Sequence, residues 1–441
     1  MPQHRAPPLM LGENLSLATD ALKAAGTSSS TVLIVGGGVT GLVTAWVLLD
    51  RGYHVTIVSK EWASWTKAQR LTSQIAGALW EYPPAVCGQH TDNVSLYNSK
   101  RWCMVAYQIW DTIASDPEMA ALSGVRMRRS HFFFPNAVED DPAQLQKMEE
   151  IQKSGIRGFI RDRHLLRVPD VNSAYGVVDA YEHLAPIIDT DRAMKWLMEL
   201  VQAKGARLVT EYIRGDLFAQ ENALLERFGA NVIVNATGLA GAETAGDKSC
   251  YPIRGALIRV INDGADFPKI NQAMTITADA AHDANEIVFI VPRNDNILLL
   301  GGIAESHEWN LDHTIDTPIV KRMRKRCEAF FPQLKKARVD PEYPLVQGLR
   351  PFRGKNVRVE RELRRKRVVW NGNMSKLIPS RIVHSYGQGG AGWSLSFGCA
   401  ADVADLVAEA LQDLDAVPMA MAEESMDDET SGVQQTYKAR L

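Results

Sequence analysis

The chain has 441 residues, 46% of them hydrophobic, and a formal net charge of -3. Single cores stop growing near ~250–300 residues, so this length predicts a soluble protein of about two globular domains. The near-neutral charge would attract neither nucleic acid nor an anionic membrane, and no apolar stretch approaches the ~20 residues that cross a bilayer, so we expect neither partner. Five scattered cysteines, without Cys-x-x-Cys or histidine at ligand spacing, predict free thiols and no metal site.

The first strong pattern follows a Pro-, Ala- and Ser-rich extension over residues 1–30, whose role the sequence leaves open. A predicted strand over residues 31–35 precedes Gly36-Gly37-Gly38-Val39-Thr40-Gly41 and a helix pattern over residues 42–49. In such a turn the first glycine permits the bend, the second lets the backbone approach a pyrophosphate, and the third lets the helix pack on the strand. Backbone N–H groups at the helix start then face the phosphates. The pattern predicts a dinucleotide site but does not separate NAD from FAD.

A second strand, over residues 55–58, completes the βαβ unit. At its end, where many such folds carry a ribose-binding acid, the chain has Ser59-Lys60-Glu61. Two interpretations stay open: Glu61 reaches the ribose, or Lys60 contacts the adenosine side. The small residues of segment 71–80 then allow the backbone to approach a flat ligand closely.

The middle of the chain mixes helix and strand patterns. We expect helices over residues 95–121, 190–202 and 317–330, and strands over residues 130–135, 175–187, 205–209, 232–239, 256–260, 287–292 and 296–302. Ligands bind beyond the carboxyl end of a buried parallel strand such as 232–239. The last two strands predict a hairpin in a second, more antiparallel sheet. Residues 348–354 are expected to return the chain to the nucleotide-binding domain, which ends with a helix over 397–411.

Seven motifs, in the same order, resemble the D-amino-acid oxidase family over about residues 31–412. They are the glycine turn, Thr72-Ser73 through Trp80, Asn235-Ala236-Thr237-Gly238, Pro252-Ile253-Arg254-Gly255, Gly301-Gly302, Gly348-Leu349-Arg350-Pro351-Phe352-Arg353, and Tyr386-Gly387 through Gly392. The resemblance implies an α/β fold in which a Rossmann-like FAD-binding domain is interleaved with a substrate domain built on a mostly antiparallel sheet. The implied organisation is an N-terminal extension over 1–30, FAD-binding segments over 31–100, 190–250 and 340–412, substrate-binding segments over 101–189 and 251–339, and a flexible acidic tail over 413–441.

The cofactor that the resemblance implies is non-covalent FAD. The residues expected to contact it are Gly36, Gly38, Val39, Thr40, Gly41, Ser59, Lys60, Thr72, Ser73, Ala78, Leu79, Trp80, Ile213, Thr237, Gly238, Arg350, Gly389, Gly392, Trp393 and Ser394.

The reaction that the resemblance implies is oxidative deamination of an amino acid, of the D-amino-acid oxidase type. The Cα hydride passes to flavin N5, the imino acid hydrolyses to a 2-oxo acid and ammonia, and oxygen is reduced to hydrogen peroxide. Arg350 would hold the substrate carboxylate bidentately, and the alternative is a structural salt bridge beside a proline turn. The carbonyl near Gly390 would accept the substrate amine, while the helix start at Gly392 would face negative charge on the reduced flavin.

The chain departs from the family at Phe289, where a tyrosine usually adds a hydrogen bond to the carboxylate. Such a charge-assisted bond contributes roughly 1.5–3 kcal/mol. The loop over residues 275–286 has His282 and Asp283 but no tyrosine, and His282 is expected to be a solvated loop residue. The alternatives are therefore an oxidase of a secondary amine, an N-substituted amino acid or a biosynthetic intermediate, and a non-catalytic flavin-binding protein. Arg350 and the flavin-facing glycines argue against the non-catalytic alternative, and nothing in the C-terminal motif requires the NAD of a nicotinamide dehydrogenase.

Two further expectations concern charge and location. The basic runs over residues 321–326 and 364–367 are expected to be solvated faces. The tripeptide Ala439-Arg440-Leu441 fits a relaxed peroxisomal address, which suits an enzyme that makes peroxide. We therefore expect a peroxisomal protein, otherwise a cytoplasmic one, with an import receptor and a homodimeric copy as possible partners.

Overall fold

The computed structural model describes residues 8–84, 93–168, 171–276, 287–370 and 374–419. The strands are β1 Thr31–Val35, β2 His54–Ser59, β3 Val125–Phe134, β4 Asp179–Ile188, β5 Arg207–Thr210, β6 Val232–Asn235, β7 Cys250–Ile261, β8 Ala273–Ile276, β9 Val288–Pro292, β10 Ile297–Gly301, β11 Glu305–Ser306, β12 Leu345–Arg353, β13 Arg358–Arg361, β14 Arg365–Trp370, β15 Met374–Pro379 and β16 Ile382–Tyr386. The helices are α1 Val39–Asp50, α2 Thr72–Ile75, α3 Asn93–Ser115, α4 Pro117–Ser123, α5 Pro142–Lys153, α6 Thr190–Ala203, α7 Glu221–Phe228, α8 Gly241–Thr244, α9 Pro318–Phe330 and α10 Gly392–Leu411.

The first sheet has the strand order β13-β16-β6-β1-β2-β5 and is parallel except at β13. Its central strands are apolar on both faces because helices cover both sides. Val32 and Ile34 of β1 pack into the core that holds α1 and α10, whereas Leu33 and Val35 pack into a second core with residues of α7. The predicted βαβ unit and its nucleotide-binding sheet are confirmed.

The second sheet has the order β11-β7-β10-β9-β8-β3-β4, and β12 also pairs with β7. All of these pairs are antiparallel except β3 with β8. The predicted hairpin is confirmed, since β9 and β10 pair with Leu298 opposite Pro292. Apolar residues of α9, among them Met323 and Phe330, are buried in the core of this sheet. A mostly parallel sheet beside a mostly antiparallel one is the predicted fold class, which is confirmed.

Three expectations about the segments differ from the structure. The helix expected over residues 95–121 is broken, because Asp116 caps a new helix by accepting from the backbone N–H groups of Glu118 and Met119. Residues 348–354 do not join the nucleotide-binding sheet, because β12 pairs with β7 along its whole length. Most of α3 falls in the predicted substrate-binding segment 101–189, yet this helix packs against α10 of the first domain. The contact is close, because a Cβ at Gly398 would lie 2.1 Å from Trp102 Cα. The wider domain boundaries stay a prediction.

The N-terminal extension is packed onto the first domain from Leu9 onward. Leu9 and Leu15 are buried in the same core as α1. The Asp50 carboxylate, at the end of α1, accepts hydrogen bonds from the backbone N–H groups of Ser16 at 2.8 Å and Leu22 at 2.9 Å. Lys204 pairs with Asp50 at 2.7 Å, and both side chains are fully buried. This part of the extension therefore belongs to the folded core, while its role in function stays open.

The basic run over residues 364–367 is solvated only in part, since Arg365 and Arg367 are exposed whereas Arg364 and Lys366 are half-buried. Lys366 donates to the buried carboxylate of Glu221, and Arg364 pairs with Asp216 and Glu362. These pairs attach the β13–β14 region to the helical side of the first sheet. Within the described ranges, no helix is long and apolar enough to span a bilayer, and no group of three or more His, Cys, Asp or Glu residues could hold a metal ion.

Candidate active site

A cavity of about 500 Å³ is lined by residues of both sheets. Its walls come from the carboxyl ends of β1, β2 and β6, from the middle of β7 and β12, and from the start of α10. A cavity at the carboxyl ends of parallel strands is the location expected for a ligand in an open α/β sheet. The predicted site residues that line it are Gly36, Gly38, Val39, Thr40, Ser59, Lys60, Thr72, Ser73, Ile213, Thr237, Gly238, Arg350, Gly389, Gly390, Gly392 and Trp393.

Two helix N-termini contribute to this wall. The α1 helix begins after Gly38 and α10 begins after Ala391, and neither has a side-chain cap from its own N-cap residue. Such ends present backbone N–H groups and a partial positive charge, which favour an anion. The glycine turn is tight, since a Cβ at Gly41 would lie 2.0 Å from Gly36 O. The two helix starts are therefore suited to the phosphates and the anionic ring of a dinucleotide.

The segment at Thr72 and Ser73 connects the parts of the wall. Ser73 Oγ accepts a hydrogen bond from Val39 N at 3.0 Å, and Trp393 Nε1 donates to Ser73 O at 2.9 Å. Thr72 Oγ1 donates to Leu349 O at 3.2 Å. This short segment consequently fixes the two helix starts and β12 relative to one another.

At the other side of the glycine turn, Ser59 takes the position of the usual acid. Its Oγ accepts from Gly37 N at 3.2 Å and donates to Glu61 O at 2.6 Å, so it supports the turn. Lys60 and Glu61 form an exposed ion pair at 3.4 Å, and both line the cavity. Tyr212 also lines this end, and its hydroxyl donates to Glu243 at 2.9 Å. Whether Glu61 reaches the ribose or Lys60 contacts the adenosine side stays open.

Arg350 lies at the end of the cavity opposite Lys60 and Glu61. Gly255 has no side chain and so leaves room for the Arg350 guanidinium. A Cβ at Gly255 would come within 2.5 Å of the Arg350 guanidinium carbon. Arg350 Nη1 donates to Ile303 O at 3.0 Å, and no other described residue accepts from its remaining N–H groups, which can therefore bind a ligand. Burial lowers the pKa of Arg350 to about 10, so the guanidinium is still charged at neutral pH.

The other charged side chains of the cavity wall already have ion-pair partners. Lys60 pairs with Glu61, Arg70 with Asp191 at 2.6 Å, and Glu211 with Arg227 at 2.6 Å. Arg350, by contrast, has no carboxylate within ion-pair distance among the described residues. The structural salt bridge considered for Arg350 is thus not found in that part of the chain, and the site offers one unpaired cation to an anionic group.

Six predicted site residues lie outside the cavity wall. They are Gly41, Ala78, Leu79, Trp80, Phe289 and Ser394. Trp80 is buried, with Nε1 donating to Cys103 O at 3.1 Å, and Leu79 bridges to Ile187. These contacts give the segment after Gly77 a packing role between the two sheets, and its predicted contact with the cofactor stays a prediction. The loop residues His282 and Asp283 lie outside the described residues.

Phe289 packs directly behind Gly77 of the cavity wall. A Cβ at Gly77 would lie 2.5 Å from the Phe289 Cζ atom. The ring therefore supports the wall from behind without lining it, and its predicted place beside the substrate stays a prediction.

Comparison with known proteins identifies the family. The sequence model described as "FAD dependent oxidoreductase", designated DAO, matches residues 31–406. The chain belongs to this family. It is 30% identical over 385 residues to a D-amino-acid oxidase of Streptomyces coelicolor, covering 85% of this chain and 96% of the relative. A D-amino-acid oxidase of Rubrobacter xylanophilus is 29% identical over 384 residues, or 86% of this chain and 96% of the relative.

The fold of this FAD-dependent oxidoreductase is shared with solved structures. A glycine oxidase from Bacillus cereus superposes with a TM-score of 0.60 at 18% identity, covering 88% of this chain and 99% of that chain. An iminodiacetate oxidase from Chelativorans gives a TM-score of 0.59 at 13% identity, covering 88% of this chain and 97% of that chain. FAD is the cofactor, and the two helix starts, the glycine turn and the cavity between them fit it.

Several wall residues of this oxidoreductase carry no sequence signal that would have identified them. Arg70, Glu211, Tyr212 and Leu311 come from irregular segments or from strand ends. The cation of Arg70 is neutralised by Asp191 and stacks 4.4 Å above the ring of Tyr343, 273 positions further along the chain. Contacts between residues so far apart become visible only after the sheets have formed.

Proposed function

We propose that this protein is an FAD-dependent amino-acid oxidase that deaminates D-amino acids. The observation that carries the proposal is Arg350, the one cation of the described cavity wall without an ion-pair partner. A planar guanidinium binds a carboxylate through two parallel hydrogen bonds, which fixes orientation as well as position. The similarity to two proteins named D-amino-acid oxidase supports the D configuration.

The neighbours of Arg350 orient the other end of the substrate. Gly389 N donates to Pro351 O at 3.0 Å, so the Gly389–Gly390 backbone is held beside the strand that carries Arg350. A carbonyl of this backbone would accept the substrate amine, and the carboxylate and amine together would fix the Cα atom. When bound, FAD supplies the acceptor for the electron pair and passes it to oxygen. The Cα–H bond breaks, a C=N bond forms, and water converts the imine to a 2-oxo acid and ammonia, with hydrogen peroxide as the second product.

The wall also indicates which side chains the substrate carries. Ile75, Leu257, Leu311 and Leu349 line the cavity with apolar surface. Among the described wall residues, Lys60, Glu61 and Glu211 lie at the glycine-turn end, away from Arg350. Arg70 is already paired with Asp191, so the described wall offers no unpaired charge to a charged substrate side chain. Since unpaired charges are costly to desolvate, we propose that the substrate side chain is neutral.

Anaerobic reduction of the bound flavin tests the proposal. The purified holoenzyme is mixed with D-, L- and N-methyl amino acids, bleaching is recorded, and oxygen is then admitted with a peroxide assay. We expect rapid bleaching by neutral D-amino acids and peroxide on reoxidation. Bleaching by N-methyl or cyclic amines alone would transfer the proposal to a secondary-amine oxidase. Absence of bleaching by any of them, with FAD bound, would contradict amino-acid oxidation.

The homodimer and the peroxisomal location both stay predictions. Ala439-Arg440-Leu441 lie outside the described residues, and the homodimer rests on the resemblance alone. Peroxisomal import is measured by comparing the cellular distribution of the full chain with that of a Leu441→Asp variant, which should lose receptor recognition but keep activity.

A further inference from the structure

A chain of buried hydrogen bonds connects the first sheet to the cavity wall. His384 and Asn235 are neighbours in the parallel pair β16–β6, and their side chains meet with His384 Nδ1 3.3 Å from Asn235 Nδ2. On the far side, His384 Nε2 lies 3.2 Å from a carboxylate oxygen of Glu362. On the near side, Asn235 Oδ1 accepts from the Thr237 hydroxyl at 2.8 Å. Glu362, His384 and Asn235 are buried, whereas Thr237 lines the cavity.

The direction of each bond follows from the chemistry of Glu362. Burial alone would raise the pKa of Glu362, but hydrogen bonds from His384 and Arg364 lower it well below its usual range. The ionised carboxylate can only accept, so His384 Nε2 carries the hydrogen. Burial lowers the pKa of His384, which keeps the ring neutral and leaves Nδ1 as an acceptor for the Asn235 amide.

The orientation of Asn235 then determines the state of the Thr237 hydroxyl. Because Nδ2 of Asn235 donates to His384 and also to Thr244 Oγ1 at 3.1 Å, its Oδ1 must face Thr237. Thr237 gives its hydroxyl hydrogen and, at 3.3 Å, its backbone N–H to this oxygen. Thr244 Oγ1 also lies 2.9 Å from Thr237 Oγ1, and its hydroxyl can donate there or to Ala240 O at 3.0 Å. Thr237 Oγ1 therefore keeps at least one lone pair that can accept a hydrogen bond at this point of the wall.

We propose that His384 is a positioning residue for FAD, which it serves by holding Thr237, through Asn235, as a hydrogen-bond acceptor for an N–H or O–H group of the cofactor. Without the acceptor at His384 Nδ1, the Asn235 amide can rotate and Thr237 can lose its fixed role. The inference concerns FAD binding and is independent of which amine is oxidised. Its failure and that of the proposed oxidase activity are consequently distinguishable.

The experiment titrates FAD-free protein with FAD and measures Kd. We expect His384→Leu and Thr237→Val each to weaken FAD binding about tenfold, the size of one lost hydrogen bond. The double variant should also bind about tenfold more weakly, instead of the about hundredfold expected for independent sites, because both changes break the same chain. His384→Gln, which keeps a donor and an acceptor at a similar spacing, should retain most of the affinity.

A matched control is His183→Leu in β4. His183 is equally buried, stacks on Phe132 with ring centroids 5.0 Å apart, and has no described contact with the cavity. Its substitution should leave the FAD Kd unchanged. If His384→Leu does not fold, Glu362→Gln replaces it, since the amide no longer fixes the His384 tautomer, and the same cycle with Thr237→Val applies. Additive losses in either cycle, or wild-type affinity in folded His384→Leu, would overturn the inference.

Discussion

The two ends of the cavity are built in different ways. At the glycine turn, the wall consists of backbone from one continuous stretch, Gly36 to Thr40, at the start of a helix. At Arg350, the wall consists of side chains from β7, β12 and the segment near Ile75, which come together only when β12 pairs with β7. The residues of the first end are close together in the sequence, and this end suits a cofactor that many proteins share. The residues of the second end meet only through tertiary contacts, so they can differ between enzymes that act on different substrates.

The largest effect is expected at Arg350. Arg350→Ala should leave FAD bound but slow flavin reduction at least about hundredfold, since two charge-assisted hydrogen bonds, each worth roughly 1.5–3 kcal/mol, are lost. Stopped-flow reduction measures the rate and the flavin spectrum measures occupancy. Arg324→Ala, which removes an arginine of α9 paired with Glu328, is the control and should react as wild type. Unchanged reduction in Arg350→Ala would remove this residue from the substrate site.

At the glycine turn we expect the opposite result, a loss of FAD affinity while the substrate end of the cavity is unchanged. In Gly41→Ala the new Cβ would lie 2.0 Å from Gly36 O, so the turn must shift away from the phosphates. Such overpacking costs about 1–3 kcal/mol, and we expect FAD affinity to fall by about tenfold or more while Arg350 is untouched. FAD titration and thermal unfolding measure both quantities. Gly26→Ala, at a glycine with nothing within 4 Å, is the control, and equal behaviour of the two variants would contradict the tight turn.

The affinity for a carboxylate bound at Arg350 should depend on pH. Burial lowers the pKa of Arg350 to about 10, and a bound carboxylate favours the charged form. The affinity for an amine-free monocarboxylate such as propionate should therefore be constant at neutral pH and fall about tenfold per pH unit above about pH 10. Flavin spectral shifts at several pH values report the Kd. A flat profile through pH 11 would contradict the lowered pKa of Arg350, and propionate binding that survives in Arg350→Ala would remove this residue from the site.

The smallest effect is expected from Gly77→Ala. The new methyl group meets the Phe289 ring at 2.5 Å, and the ring must move by a small rotation behind the wall. We expect KM for a neutral D-amino acid to rise less than about tenfold and the FAD Kd to stay unchanged, because the change reaches only the substrate end. Steady-state kinetics with parallel FAD titration separate the two. Loss of FAD at normal KM would instead mean that Gly77 serves the cofactor.

The sequence predicts the parts of the site that lie in short continuous motifs better than the parts that form through tertiary contacts. The glycine turn, the start of α10 and Arg350 lie in short motifs whose chemistry depends on neighbouring residues. The resemblance predicts Trp80 at the cofactor, but the sequence does not show that its ring packs in the core against Tyr107. The position of β12 also could not be inferred, since the mixed polar and apolar pattern of this strand does not favour either sheet until the register with β7 is known.

The match to the family model begins at residue 31, but among the described residues the buried core begins at Leu9. A shortened chain starting at Thr31 would keep every residue shared with the family and still leave the Asp50–Lys204 pair without the backbone N–H groups of Ser16 and Leu22. It would also leave cavities in the core where the side chains of Leu9 and Leu15 pack. The folded core of this protein therefore extends beyond the segment that matches the family model.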